Sequence, residues 1–227
     1  MKIFVIHYTQ LKERKENIEF LVSGMNYKFI EDYDREKITE SELQKYYHPN
    51  EELFNLKIKD LWDSRIHKFR NLNRAEISCT IKHIVALNES SKVNEDYSLI
   101  LEDDVICSDR IINLNIESIV KNAPSDWDSI FLGSGCGIDF MSQKLKNSII
   151  FNDSYAKINH PTTNCAEAYL IKKSSAKQIY DSIVPFQLVS DWELAYHFYK
   201  LNMNVYWYIP PIFEQGSKNG TYNSTLR

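Results

Sequence analysis

The sequence predicts a doubly wound α/β fold in a single domain, 1–227, and three observations carry that prediction. Short runs rich in β-branched and aromatic residues alternate with stretches of helical periodicity along nearly the whole chain. The opening runs KIFVIHY, TQLKERKENIEFLVSG and YKFIEDY read strand, helix, strand, the unit that begins a parallel sheet. No Pro/Gly/Ser-rich linker interrupts the alternation, so no internal boundary is expected.

Each element has its own signal. In the first helical stretch Leu11, Ile18, Leu21 and Val22 fall near helical spacing, and Gly24 ends it. TESELQKYY opens with a capping-box pattern, Thr39 with Glu42, and predicts a short helix. Residues 47–71 mix aromatic and charged side chains without a period and are expected to form an irregular loop that orders over a ligand. NRAEISCTIKHIVALNESS predicts the clearest helix, with Asn73 as N-cap, Glu76 three positions on, and Ile77, Ile81, Ile84 and Val85 along one face. YSLILEDDV is expected as the next strand, and RIINLNIESIVKNAP as a helix stopped by Pro124. WDSIFLGSGCG then reads as a strand entering a glycine-rich loop, and CAEAYLIKKSSAKQIYDSI as a strand followed by a helix. VSDWELAYHFYKLN predicts a further helix and NVYWYIPP a last strand.

Composition narrows the function classes. Hydrophobic content of 43% with 26% charged residues is that of an ordinary globular protein, and no segment has the apolar length needed to cross a bilayer. The N-terminal MKIFVIHYTQ reads as a first strand rather than a signal peptide, so a cytoplasmic-type protein is expected. A formal charge of −4 with no basic tract argues against nucleic acid as the main partner. Cys79, Cys107, Cys136 and Cys165 never form a CxxC, and no histidine is read at metal-site spacing from them, so they are expected as buried or free thiols.

The chemistry concentrates where the apolar run SLILEDDV ends in Glu102, Asp103 and Asp104. Adjacent carboxylates repel and raise one another's proton affinity, so such a cluster calls for a cation or a set of donors. A solvated acidic turn is the plain alternative. In open α/β sheets ligands sit outside the carboxyl ends of strands. Alternate residues of an extended chain share a face, so Glu102 and Asp104 are expected to look into one site while Asp103 turns away or caps a turn. Two such oxygens beside open water suit Mg²⁺ or Mn²⁺ completed by substrate phosphates.

Other candidates surround that edge. Tyr8, Thr9 and Arg14 follow the first strand, where a nucleotide would rest, and Arg14 offers a guanidinium to a phosphate. Asp32 and Asp34 end the second strand, placed either for a ribose hydroxyl or simply for a turn. Glu76 fits a capping-box acid and a donor contact equally. Gly133, Gly135 and Gly137 suggest a flexible loop. Asp191 and Glu193 in SDWEL are first-turn helix acids, with Asp191 set beside Trp192 in what could be a partly dry pocket, and Gln215 and Ser217 are candidate tail contacts.

The succession VIHYTQLKERKENI, NRAEISCTIKH, YSLILEDDV, DWDSIFLG, AYLIKKSSAKQI, DWELAYHF and VYWYIPPIFEQGS resembles glycosyltransferase family 25 over most of the chain. That family includes lipooligosaccharide and procollagen galactosyltransferases. The resemblance implies a GT-A type fold, a Rossmann-like doubly wound mixed sheet. It implies a nucleotide-sugar donor, taken as a UDP-hexose, and inverting transfer to a hydroxyl of a glycan, lipooligosaccharide or collagen-like acceptor. It also implies an acidic motif at Glu102, Asp103 and Asp104 in the role of the DxD of other GT-A enzymes, holding Mn²⁺ or Mg²⁺ through Glu102 and Asp104. On the same basis Asp191 is the expected general base with Glu193 in reserve, and Tyr8, Thr9, Arg14, Asp34, Glu76 and Asp103 are the expected donor-side residues. The chain departs from the commoner pattern GEIGC.LSH at Ala75, Ser78 and Lys82, while Glu76, Cys79 and His83 match. A Mg²⁺-dependent phosphohydrolase using the same acids, and a degenerate domain that only binds nucleotide or glycan, are the rival readings.

Overall fold

The computed structural model describes residues 1–61, 67–107, 109–133, 135, 149–151, 154–157 and 165–226. Its first half runs β1 (Lys2–Ile6), α1 (Lys12–Leu21), β2 (Asn26–Ile30), α2 (Glu40–Tyr46), α3 (Glu51–Leu61), α4 (Arg74–Ser90), β3 (Tyr97–Glu102) and β4 (Val105–Ile106). There follow α5 (Ile116–Asn122), β5 (Ser129–Phe131), β6 (Ile149–Phe151), β7 (Tyr155–Lys157) and β8 (Ala168–Lys172). The chain closes with α6 (Lys173–Tyr180), α7 (Ser190–Lys200), β9 (Val205–Tyr208), β10 (Glu214–Gln215) and α8 (Gly216–Asn219).

Eight strands form one mixed sheet in the order β2-β1-β3-β8-β5-β9-β7-β6, and β10 pairs with β4 in a small ribbon beside it. The period-two alternation of the central strands sorts their side chains onto two cores. Phe4, Ile6 and Ile100 pack with Ile81, Ile84 and Leu87 of α4 on one face. Ile3, Val5, Leu99 and Leu101 pack with Ile18 and Leu21 of α1 on the other. Ile3, Val5, Leu99, Leu101, Ile81 and Ile84 are all 0% exposed, and burial of such a side chain contributes about 1.5–3 kcal/mol. A sheet covered on both sides follows directly from that pattern.

Register sets the functional edge. β1 lies parallel to both neighbours, with Ile6 opposite Ile30 of β2 and Glu102 of β3. The residues just after three strands therefore emerge together: His7 to Thr9, Glu31 to Asp34, and Glu102 to Asp104. β8 runs antiparallel to β3 with Leu101 opposite Ala168, so Glu167 arrives at the same edge, its main-chain oxygen accepting from Glu102 N at 2.8 Å.

The capping boxes read from the sequence are present. Asn73 accepts from Ala75 N and Glu76 N while Glu76 returns a bond to Asn73 N, and Thr39 and Glu42 do the same for α2. Residues 47–71 differ from expectation, because they contain α3. Asn50 Oδ1 accepts from Leu53 N at 2.9 Å at its start. Phe54, Ile58 and Leu61, spaced by four and three, are buried against Leu188, Ala195 and Tyr196. Residues 62–66 of that stretch, like Cys136 and Gly137, lie outside the described residues. The run RIINLNIESIVKNAP is also divided, into a 3₁₀ turn at Ile111–Asn113 and the shorter α5, which Asn115 caps by accepting from Ser118 N. Among the described residues no helix is long and apolar enough to cross a membrane.

Candidate active site

Asp103 ties the edge together. Its Oδ2 accepts from Tyr8 N at 3.0 Å and pairs with His7 Nδ1 at 2.9 Å, and its Oδ1 accepts from Arg14 Nη1 at 2.8 Å. Burial alone would raise its proton affinity, but these donors outweigh it and hold the carboxyl below the usual range. Asp103 is thus an ionised brace between β1, α1 and β3.

Glu102 and Asp104 have the opposite character. Glu102 Oε1 lies 3.1 Å from His83 Nε2 and 4.0 Å from Cys79 Sγ, and Oε2 lies 3.4 Å from Gln215 Nε2. Burial, then the charges of Asp104 and Asp103, push Glu102 up to about 8. Burial alone pulls His83 down to about 3, so its contact with Glu102 is a hydrogen bond of a neutral ring rather than an ion pair. Asp104 is 5% exposed and also raised by burial, against a lowering contact with Ser217. Its Oδ1 is buried with no hydrogen-bond partner among the described residues. Two repelling carboxylates with an orphaned oxygen fit a divalent cation: the pair would hold it, and its charge would offset the repulsion. Gly216 permits the tail to close on this point, since its N donates to Asp104 O at 2.7 Å and a Cβ there would stand 2.8 Å from that oxygen.

Two clefts meet at Glu102. The first encloses about 620 Å³ open to solvent and is bounded by Tyr8, Arg14, Arg35, Ala75, Glu102 and Asp104. The second, about 1650 Å³, is bounded by Glu76, His67, Arg70, Asp191, Trp192 and Lys218. Cys79, Glu102, Gln215 and Ser217 line both. Arg35 stacks its guanidinium 4.5 Å above the Tyr8 ring, whose hydroxyl donates to Glu36 at 2.6 Å. The chain's last described segment crosses the first cleft. Its main-chain oxygens accept from Arg14 Nη2 (Asn223, 2.6 Å), Arg35 Nη1 (Thr225, 3.0 Å) and Asn73 Nδ2 (Leu226, 2.8 Å).

In the second cleft Asp191 Oδ1 accepts from Trp192 N at 3.0 Å, and the indole meets His67 edge-on at 4.6 Å between centroids. Glu76 is clamped by both Arg70 nitrogens, at 2.8 and 2.5 Å, as well as serving its cap. Burial opposes ionisation of Glu76, but Arg70 and Asn73 N keep it below the usual carboxylate range.

The structure brings Tyr8, Arg14, Glu102, Asp103 and Asp104 to the first cleft and Glu76 and Asp191 to the second. Three expected site residues line neither. Asp34 is 0% exposed, with Lys82 Nζ donating to its Oδ1 at 2.5 Å and Thr9 and Lys37 donating to Oδ2. Its carboxylate is therefore spent inside the protein rather than offered to a ribose, and the hydroxyl of Thr9 is spent with it. Glu193 is likewise 0% exposed: it pairs with Lys57 and with His197 at 3.3 Å and accepts from Gln187 N and Leu188 N at 3.2 and 2.9 Å. It anchors α7 from behind and has no path to an acceptor, which removes it as the reserve base.

Several participants have no role assigned from the sequence. Lys82 fills the space under the first cleft, also reaching His7 O. Glu167, 1% exposed and pushed up to about 7 by burial, accepts from Gly135 N at 2.7 Å. Gly133 makes room for it, because a Cβ there would collide with its carboxylate. Cys79 and His83 were visible in one respect: four residues apart on a helix, they share a face.

A family model described as glycosyltransferase family 25 (LPS biosynthesis protein) matches residues 1–193. No curated protein matches the chain. Among solved structures, A197 from STIV is 12% identical with a TM-score of 0.43, covering 93% of this chain and 82% of that one. Mouse xyloside xylosyltransferase 1 is 8% identical with a TM-score of 0.41, covering 90% and 70%. An active-site mutant of LgtC is 13% identical with a TM-score of 0.37, covering 88% and 70%. At these scores the three likenesses add nothing to the assignment, which rests on the family model. That match takes in the acidic motif, the whole of α4 and the Asp191 segment, and the chain accordingly belongs to glycosyltransferase family 25 and is a glycosyltransferase.

Proposed function

We propose that this glycosyltransferase moves a hexose from a UDP-sugar to a hydroxyl of a glycan acceptor of the lipooligosaccharide kind, with inversion and with a divalent cation, Mn²⁺ or Mg²⁺, held by Glu102 and Asp104. The observation that carries the reading is the pairing of these two carboxylates in the first cleft, Asp104 with a buried orphan oxygen and Glu102 also bordering the second cleft. When bound, the ion supplies Lewis-acid neutralisation of charge on the departing diphosphate.

The chain's own residues divide the remaining work. Arg14 and Arg35 line the first cleft, where their guanidiniums would grip phosphate oxygens in place of the main-chain oxygens they now hold. Tyr8 and Asp103 fix those guanidiniums, Tyr8 by stacking under Arg35 and Asp103 by bonding Arg14. In the second cleft Trp192 offers an apolar ring to a sugar face. Asp191, beside it, takes the proton from the acceptor hydroxyl as that oxygen attacks the donor carbon from the side opposite the leaving group. Glu76 holds Arg70 at the rim and so shapes the acceptor side.

The deciding experiment is transfer itself, with a panel of UDP-sugars and glycan or collagen-like peptide acceptors, with and without Mn²⁺. The expected result is metal-dependent release of UDP matched by a glycosylated product. Hydrolysis of simple phosphate esters with no sugar transfer would replace this reading by a phosphohydrolase, and nucleotide binding with no turnover would leave a binding domain.

A further inference from the structure

We infer that Cys79, His83 and Glu102 form a second, thiolate-containing metal centre at the seam of the two clefts, one that takes a borderline-soft divalent ion of the zinc class. The inference goes beyond the sugar-transfer reading and does not depend on it.

Cys79 and His83 sit one turn apart on α4, and that face of the helix looks at the end of β3. Sγ of Cys79, a ring nitrogen of His83 and a carboxylate oxygen of Glu102 all lie within 4.8 Å of one another. The individual contacts to Glu102 Oε1 are 3.1 Å from His83 and 4.0 Å from Cys79. In a tetrahedral site with ligands about 2.0–2.3 Å from the ion, donor atoms stand about 3.3–3.8 Å apart, so the two separations from Glu102 lie close to those of a bound ion.

The surroundings are those of a supported site. Tyr169 OH lies 3.2 Å from His83 Nδ1; when the ring donates there, Nε2 is left as a lone pair facing Cys79 and Glu102. Gln215 is placed to offer a fourth ligand: its amide nitrogen is 3.4 Å from Glu102 Oε2, and its Oε1 is buried without a partner among the described residues. Cys79, Glu102 and Gln215 line both clefts, so an ion reaches the centre from either side. Ligand softness sets this centre apart from the neighbouring pair: thiolate and imidazole select zinc or cobalt, whereas Glu102 with Asp104 is all oxygen and suits Mg²⁺ or Mn²⁺. Glu102 belongs to both, presenting Oε1 to Cys79 and His83.

The test uses chelator-stripped full-length protein and Co²⁺, with no nucleotide sugar present. One equivalent of Co²⁺ is expected to give a thiolate-to-cobalt charge-transfer band in the near ultraviolet. That band should be absent in Cys79→Ser, retained in Asp104→Asn, and weakened in Tyr169→Phe by about a 10-fold loss of affinity. A wild-type spectrum without the band overturns the inference, as does a band that survives in Cys79→Ser. Should the variants fold poorly, alkylation of the wild type decides: Zn²⁺, but not Mg²⁺, should protect Cys79 and leave Cys107 reactive, and equal labelling with either ion overturns the inference. Absence of sugar transfer would leave both readouts untouched, so the two readings fail separately.

Discussion

Arg14 is held by Asn223: one guanidinium nitrogen donates to the Asn223 main-chain oxygen at 2.6 Å while the other holds Asp103, and the Tyr222 ring lies 5.0 Å from the guanidinium. A carbonyl is a weaker partner for a guanidinium than a phosphate, because it carries no formal charge and cannot take the paired bonds that a phosphate accepts from the planar fork. The segment 222–226 thus occupies the arginines that a diphosphate would need, and its removal is expected to favour the donor. Deleting residues 221–227 should tighten UDP binding about tenfold, equivalent to about 1.4 kcal/mol, by isothermal titration. Weaker binding in the truncated protein would instead make the segment part of the donor site.

Asp103 and Asp104 are neighbours with opposite tasks, and substitution should separate them. Asp104→Ala removes one oxygen that has no partner among the described residues and one contact with Ser217 of the tail, so the fold should survive while Mn²⁺-dependent donor binding disappears. Asp103→Ala takes from buried His7 and Arg14 the carboxylate they share, leaving Arg14 only the Asn223 main-chain oxygen, and the melting temperature should fall. Thermal shift with and without Mn²⁺ and UDP checks both. Equal donor binding by Asp104→Ala and the wild type would end its metal role.

How far the sequence carried this structure depends on the range of the interaction involved. Strands, caps and the acidic edge were legible because alternation, capping boxes and strand-end placement are local properties. The helix α3 was missed because the exposed Leu53 and Leu56 blur the face made by Phe54, Ile58 and Leu61. Capture of Asp34 by Lys82 joins residues 48 apart, and no local pattern announces it. The cluster of Cys79, His83 and Glu102 needs the fold for a different reason: Cys79 and His83 match the family pattern and share a helix face, but the third group arrives from the end of β3. Asp191 and Glu193, two residues apart, had to diverge on a helix, but only the packing of α7 on α3 decides which of them is interior.

Glu193 is expected to matter for stability and not for turnover. Burial opposes its ionisation, but His197 and Lys57 outweigh it and hold the carboxyl below its ordinary value of 4.5. A depressed acid contributes stability that is present above the unfolded value and lost as pH falls through the folded one. Glu193→Gln strands Lys57 in the core and should cost about 3–5 kcal/mol at pH 7, and it should flatten the acid limb of the stability curve. Denaturant unfolding at several pH values measures both effects. An unchanged acid limb would show that the pair does not carry the linkage.

Asp191 is the complementary case. It opens onto the second cleft beside Trp192, two residues along α7 from the buried Glu193, and Glu102 borders the same cleft. An acceptor sugar lying on Trp192 would present a hydroxyl to this carboxylate and its attacking oxygen to the donor carbon. Asp191→Asn keeps the size and the Trp192 N contact but deletes the charge that accepts the proton, so turnover should fall by about 10²–10⁴-fold. Donor affinity should stay as it was, because Asp191 does not border the first cleft. Steady-state kinetics paired with UDP titration separates the possibilities: near-normal turnover would strike Asp191 out as the base, and a matching loss of donor binding would recast it as a donor contact. Trp192→Ala offers the internal control. Removing the platform should raise KM for the acceptor more than it lowers kcat, since stacking holds ground state and transition state alike.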